Sequence, residues 1–261
     1  MNISLNQKVA VIGGSTQGIG LAIAHELAGN GATCLLLARN GDVLKEIINQ
    51  LPTPSSQHHE YYTADFSDTT QVKLAVEKII ASHAVHILVN NTGGPKPGPI
   101  ADATEEEFLS AFRQHLINNQ LLSKAVVPSM KNAGYGRIIN IISTSVRIPI
   151  NNLGVSNTIR AAVASWAKTL SNELGQFNIT VNNVLPGFTD TQRLHSLITS
   201  IAQQRGAAKD IIEKEMMETI PAKRFGNASE IASVVAFLAS PAASYINGVS
   251  IPVDGGKTGT I

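Results

Sequence analysis

Two hydrophobic periods take turns along this chain. Residues 9–12 are four consecutive apolar positions, and then Ile19, Ala22, Ile23 and Leu27 recur at helical spacing. Asn30-Gly31 stops that helix, and a second apolar run follows at 34–38. The same alternation continues to the C-terminus. Val43, Leu44, Ile47, Ile48 and Leu51 predict a helix that the segment 52–56 ends. A third strand is predicted at 60–64. A helix follows with Val72, Leu74, Ala75, Val76, Ile79 and Ile80 as its apolar positions and Ser67 or Asp68 as its cap. A fourth strand falls at 87–90. Thr104-Glu105-Glu106-Glu107 is a capping box opening one long helix to about Met130. Strand five spans 136–142 and finishes in Ser143. The stripe Val155, Ile159, Ala162, Val163, Trp166, Leu170 and Leu174 predicts the next helix. Strand six is predicted at 179–184, a helix from the Asn227 to Glu230 cap to Ala239, and a last strand at 249–253. Pro252 lacks a ladder donor, which makes that last strand an edge. Strands alternating with helices predict an α/β fold, a Rossmann-type doubly wound parallel sheet.

Composition narrows this picture. A chain of 261 residues with no Pro/Gly/Ser-rich linker and no repeat is expected to be a single domain over 1–261. The formal net charge is +1, and no basic run suggests nucleic acid. Residues 1–8 are polar, unlike a secretory signal, and no apolar run reaches membrane-span length. A cytoplasmic protein with no membrane or nucleic-acid partner is therefore expected. Cys34 lies inside a predicted buried strand and reads as a small core residue, and no metal site is expected.

The candidate chemistry begins at the first turn. Gly13-Gly14-Ser15-Thr16-Gln17-Gly18-Ile19-Gly20 lies between a strand and a helix. Glycine lets a phosphate approach the backbone, and the helix start offers unpaired N–H groups. Strand two ends in Arg39 with no carboxylate there, which favours NADP(H) over NAD(H). Asp65, beside Phe66 at the end of strand three, could hold an adenine or start a turn. Asn91-Thr92-Gly93 follows strand four, where asparagine can tie loops together. Pro186-Gly187 opens a polar, Met-rich segment at about 187–221, placed where a lid would be.

These motifs resemble the short-chain dehydrogenase/reductase family over essentially the whole chain, and among its members the 3-oxoacyl-carrier-protein reductases. Gly14, Gly18 and Gly20 match its glycine loop, with Gly13 where a threonine is usual. Asp65 matches its adenine-contacting aspartate, and Asn90-Asn91-Thr92-Gly93 resembles its Asn-Asn-Ala-Gly. Pro186-Gly187, with Thr189 and Thr191 after it, matches the turn on the nicotinamide side. Arg224-Phe225-Gly226 and Val253-Asp254-Gly255-Gly256 resemble its C-terminal blocks. The resemblance implies an NADP(H)-dependent oxidoreductase acting on a small-molecule or acyl-thioester carbonyl, assembled as a homotetramer.

The family's catalytic asparagine, serine, tyrosine and lysine fall on His115, Ser143, Ser156 and Arg160. Three of the four are changed. A phenol titrates at about 10 and can be tuned by a cation, whereas a serine hydroxyl is a far weaker acid. Arginine keeps its charge and does not shuttle protons. The expected roles are a hydrogen bond from Ser143 to the carbonyl oxygen and ribose or oxyanion contacts from Arg160. Ser156 or His115 would pass the proton. His115 could do so near neutral pH, or be a histidine hydrogen-bonded within its helix. The altered set leaves a second expectation, an NADP(H)-binding protein that is inactive or does non-redox chemistry.

Overall fold

The computed structural model describes residues 1–260. Its first half runs β1 (Val9–Gly13), α1 (Gly18–Gly29), β2 (Thr33–Ala38), α2 (Gly41–Gln50), β3 (Glu60–Thr63), α3 (Thr69–Ser82) and β4 (Ile87–Asn90). Then come α4 (Glu105–Phe112), α5 (Asn118–Ala133), β5 (Gly136–Ile141), α6 (Gly154–Leu174) and β6 (Ile179–Pro186). The chain closes with β7 (Thr189–Asp190), α7 (Gln192–Arg205), α8 (Lys209–Glu218), β8 (Gly226–Asn227), α9 (Ala228–Ala239) and β9 (Ser250–Val253).

Seven strands form one parallel sheet in the order β3-β2-β1-β4-β5-β6-β9. Side chains alternate across it. Ala10 and Ile12 of β1 enter the core beneath α1, α2 and α9, while Val11 enters the core beneath α3, α5 and α6. Both faces are covered, so the central strands are apolar throughout. Chain order reverses between β1 and β4, which opens a crevice at the strands' C-terminal ends. β9 is an edge strand, with Pro252 opposite Leu185, as expected.

A polar row fixes the register near that crevice. Asn90 donates to Asn140 at 2.8 Å, Asn140 to Asn183 at 2.9 Å, and Asn183 to Ser250 at 3.0 Å. These residues face one another across β4, β5, β6 and β9. A one-residue slip would leave buried amides unpaired.

The predicted long helix differs from expectation. α4 and α5 are joined by a π-helical turn at Arg113–Ile117, where the Asn118 amide donates to the Arg113 carbonyl five residues back. The wider turn carries one extra residue and buries His115. Asn118 fastens it by donating to the Phe66 carbonyl at 2.7 Å. Asp68, not Ser67, caps α3. The segment after β6 folds as α7 and α8 around its own small core of Leu194, Ile198, Ala202 and Ile212. No helix among the described residues is long and apolar enough to cross a membrane.

Candidate active site

The glycine loop is shaped by close approach. Gly14 has φ of +58°, a left-handed conformation that glycine adopts without strain. A Cβ on Gly20 would lie 2.1 Å from the Gly14 carbonyl oxygen and 2.7 Å from Asn91 Nδ2. Asn91 in turn donates to the carbonyls of Gly13 and Gly14 at 3.1 and 3.3 Å, tying the β4 loop to the β1 loop. Gln17 is the N-cap of α1 but its side chain makes no capping bond. The first amides of α1 are therefore left for a ligand. Ser15 is fully buried in the loop, and its hydroxyl has no partner among the described residues. Such a cradle fits a dinucleotide diphosphate.

At the ends of β2 and β3, Arg39 Nη1 stands 3.8 Å from Asp65 Oδ2. The Arg39 side chain is 75% exposed and free to meet an anion. Hydrogen bonds from the Ser67 amide and hydroxyl, both 2.8 Å, hold the Asp65 carboxyl below its usual range, with Arg39 adding to the effect. Phe66 packs beside Gly13.

A cavity of about 290 Å³ runs from the glycine loop to the end of β5. Gly14, Gln17, Gly18, Ile19, Gly20, Asn91, Thr92 and Gly93 line it, as do Ser143, Ser156, Arg160, Pro186, Gly187, Thr189 and Thr191. Ser15, Thr16, Arg39, Asp65, Phe66 and His115 lie outside its lining.

Ser156 is buried in the first turn of α6, and its Oγ accepts from Arg160 Nε at 3.3 Å. Arg160 Nη1 donates to the carbonyls of Ile141 and Ile142 at 3.2 and 2.9 Å, which pins the guanidinium to the end of β5. Burial and the charge of Arg193 push the Arg160 pKa down to about 10. Ser143 Oγ accepts from the Ser145 amide at 3.1 Å.

His115 lies behind the cavity wall. A 2.7 Å hydrogen bond joins its Nδ1 to Thr92 Oγ1, and its Nε2 has no partner among the described residues. Burial, then the charges of Arg160 and Arg193, push its pKa down to about 3. At neutral pH the ring is uncharged, and it meets the cavity through Thr92.

Sequence reasoning missed Arg193, Lys257 and the apolar walls Ile150, Leu153, Phe188 and Leu197. Arg193 carried a usable signal. It sits in the first turn of α7, where the helix dipole disfavours a cation. From there it donates to the carbonyls of Gly94 and Pro95 at 3.2 and 3.3 Å, closing α7 over the β4 loop.

A family model described as enoyl-(acyl carrier protein) reductase matches residues 14–258. The NADPH-dependent reductase BacG of Bacillus subtilis is 30% identical over 259 residues, covering 98% of this chain and 100% of that protein. The 3-oxoacyl-[acyl-carrier-protein] reductase FabG of Pseudomonas aeruginosa is 34% identical over 258 residues, covering 97% and 98%. Among solved structures, L-sorbose reductase from Gluconobacter frateurii, complexed with NADPH and L-sorbose, superimposes with a TM-score of 0.94 at 32% identity over 100% of both chains.

Proposed function

Since this chain belongs to the short-chain dehydrogenase/reductase family, we propose that it interconverts a carbonyl and an alcohol with an atypical set of side chains. It is an NADP-dependent oxidoreductase. One observation carries the proposal: a single cavity joins the glycine cradle to Ser143, Ser156 and Arg160. The cradle residues would hold the diphosphate, Arg39 the 2′-phosphate, Asp65 the adenine, and Pro186, Gly187 and Thr191 the nicotinamide side. Arg160 would hold the nicotinamide ribose. The bound nicotinamide supplies or accepts the hydride.

The chain's own part is to hold an oxygen and its proton. Ser143 and Ser156 each accept a hydrogen bond from the protein, so each O–H is left to donate. Thr92 joins them when His115 carries its hydrogen on Nδ1. That tautomer leaves an orphaned lone pair at Nε2 in place of an orphaned N–H. Ser156 would donate to the developing alkoxide with the Arg160 charge beside it, and water at the cavity mouth would restore the proton. Among the described residues no tyrosine lines the cavity, so turnover is expected to fall below that of Tyr-containing relatives by roughly 10²–10⁴, the usual worth of a general acid. The segment 187–221 would act as a lid, and the protein would work as a cytoplasmic homotetramer. A second reading, binding without redox turnover, draws on the low pKa of His115, which removes the imidazole as a charged acid.

The test is cofactor titration followed by a carbonyl screen. NADPH should bind more tightly than NADH, and Arg39→Asp should reverse the order. NADPH should be consumed only when a carbonyl substrate is present. Tight NADPH binding with no consumption across the screen would replace the enzyme with the second reading.

A further inference from the structure

The cavity is electrically one-sided. Arg160, Arg193 and Lys257 line it, and among the described residues no aspartate or glutamate does. Two of these cations converge. A Cβ on Gly94 would lie 2.5 Å from Arg193 Nη2 and 3.3 Å from Arg160 Nη2. Neither arginine has a carboxylate partner among the described residues. Arg193 bonds only backbone carbonyls, and Arg160 bonds two carbonyls and Ser156. Arg160 Nη2 makes no hydrogen bond among the described residues, so its two N–H groups are unspent. Two like charges this close, one of them at the positive end of a helix, are an unrepaid cost in the free protein. An anion seated between them removes it.

We infer that the substrate of this site is a short oxo acid, or the matching hydroxy acid, whose carboxylate is held by Arg193 together with Arg160. This rests on the carbonyl–alcohol reading above. The cofactor's diphosphate is not the anion in question, because the glycine cradle and the uncapped start of α1 already answer it. Arg160 links the two ends of the substrate: its Nε bonds Ser156, and its Nη2 faces Arg193 across Gly94. One guanidinium spans only a few bonds, so the carboxylate lies one or two carbons from the reacting carbonyl. Leu153 and Phe188 offer apolar wall to the remainder of the molecule. Paired guanidinium forks suit a planar carboxylate. A neutral acyl thioester would leave both charges unanswered.

Binding to the NADP⁺-loaded protein tests this without turnover, since an oxo acid and an oxidised cofactor form a dead-end complex. The probes are 4-methyl-2-oxopentanoate and acetoacetate, each beside its methyl ester, titrated by calorimetry. At least one acid should bind more tightly than its ester by about tenfold or more. Arg193→Gln should erase that preference, leave ester binding unchanged, and keep the NADP⁺ dissociation constant within about threefold. Arg193→Lys, which keeps the charge and loses the fork, should recover part of the preference. Equal binding of acid and ester overturns the inference. So does an Arg193→Gln variant that loses NADP⁺ as strongly as it loses the acid, for Arg193 would then serve the cofactor. A protein that binds no NADP⁺ refutes the cofactor reading, and the same acid–ester comparison on the free protein still decides this one. Acid binding in a protein that never consumes NADPH would uphold the carboxylate site and remove the redox reaction.

Discussion

The resemblance puts His115 at the family's asparagine and Thr92 at the alanine of its Asn-Asn-Ala-Gly. The two departures meet in one 2.7 Å hydrogen bond. The two side chains act as a unit: the Thr92 hydroxyl lies on the cavity wall, and the buried imidazole of His115 fixes its oxygen. This arrangement has a pH signature. The folded protein excludes a proton from His115 until about pH 3, against 6.5 for the free side chain. Between those values the unfolded chain binds more protons, so stability rises with pH in that window. The loss begins as pH falls through about 6.5 and levels off near 3. His115→Asn, which keeps a donor for Thr92 and cannot titrate, should remove this share of the acid sensitivity, on the order of a few kcal/mol at its largest. Urea unfolding of both proteins at intervals from pH 7 to 4 would show it. Parallel stability curves would mean that the ring is not held neutral by burial.

The glycine loop depends on one crossing, where the backbone of α1 at Gly20 passes under the Gly14 carbonyl. A methyl group there has no room, because the obstacle is backbone and not a flexible side chain. Gly20→Ala should cost at least about a hundredfold in NADPH affinity, by pushing Gly14 and Asn91 out of place, and should lower the thermal midpoint. Gly98→Ala is the control. A Cβ there meets nothing within 4 Å, and its NADPH affinity should match the parent protein. Fluorescence titration of the two variants decides the matter, and equal affinities would show that the cradle tolerates the shift. The strand, glycine turn and helix that carry this crossing were readable in advance, because four apolar residues, a glycine loop and a helical stripe leave few alternatives at 9–27, but the crossing itself was not. The π-turn was not readable. Replacing 3.6 residues per turn by a wider turn over Arg113–Ile117 shifts the stripe by one residue only, which the surrounding apolar pattern absorbs. Family spacing could put His115 at the asparagine position. It could not show Thr92, 23 residues earlier in sequence, as its partner. Arg193 was hidden for a related reason. In sequence it is one cation in a polar insertion, and only folding brings it to Gly94, 99 residues away.

At the scale of the whole molecule the doubly wound sheet followed from the alternation of periods, and its edge from Pro252. What the sheet leaves uncovered bears on assembly. Leu109 and Phe112 of α4 are 39% and 38% exposed, and Trp166 and Leu170 of α6 are only half-buried. A second apolar area lies beside the edge strand, where Tyr245 is fully exposed and Val249 is 38% exposed. Each area can pair with its own copy about a twofold axis, and two such axes close a tetramer without leaving an open chain of contacts. Light scattering at micromolar concentration should therefore return four times the chain mass of 27.6 kDa. Phe112→Lys should break one axis and Tyr245→Lys the other, each leaving dimers, and the two together should leave monomers. NADPH affinity should be unchanged in all three, because neither side chain lines the cavity. A monomeric parent protein would show that these faces stay in water. A single variant that falls directly to monomers would place both contacts on one axis and leave a dimer as the native assembly.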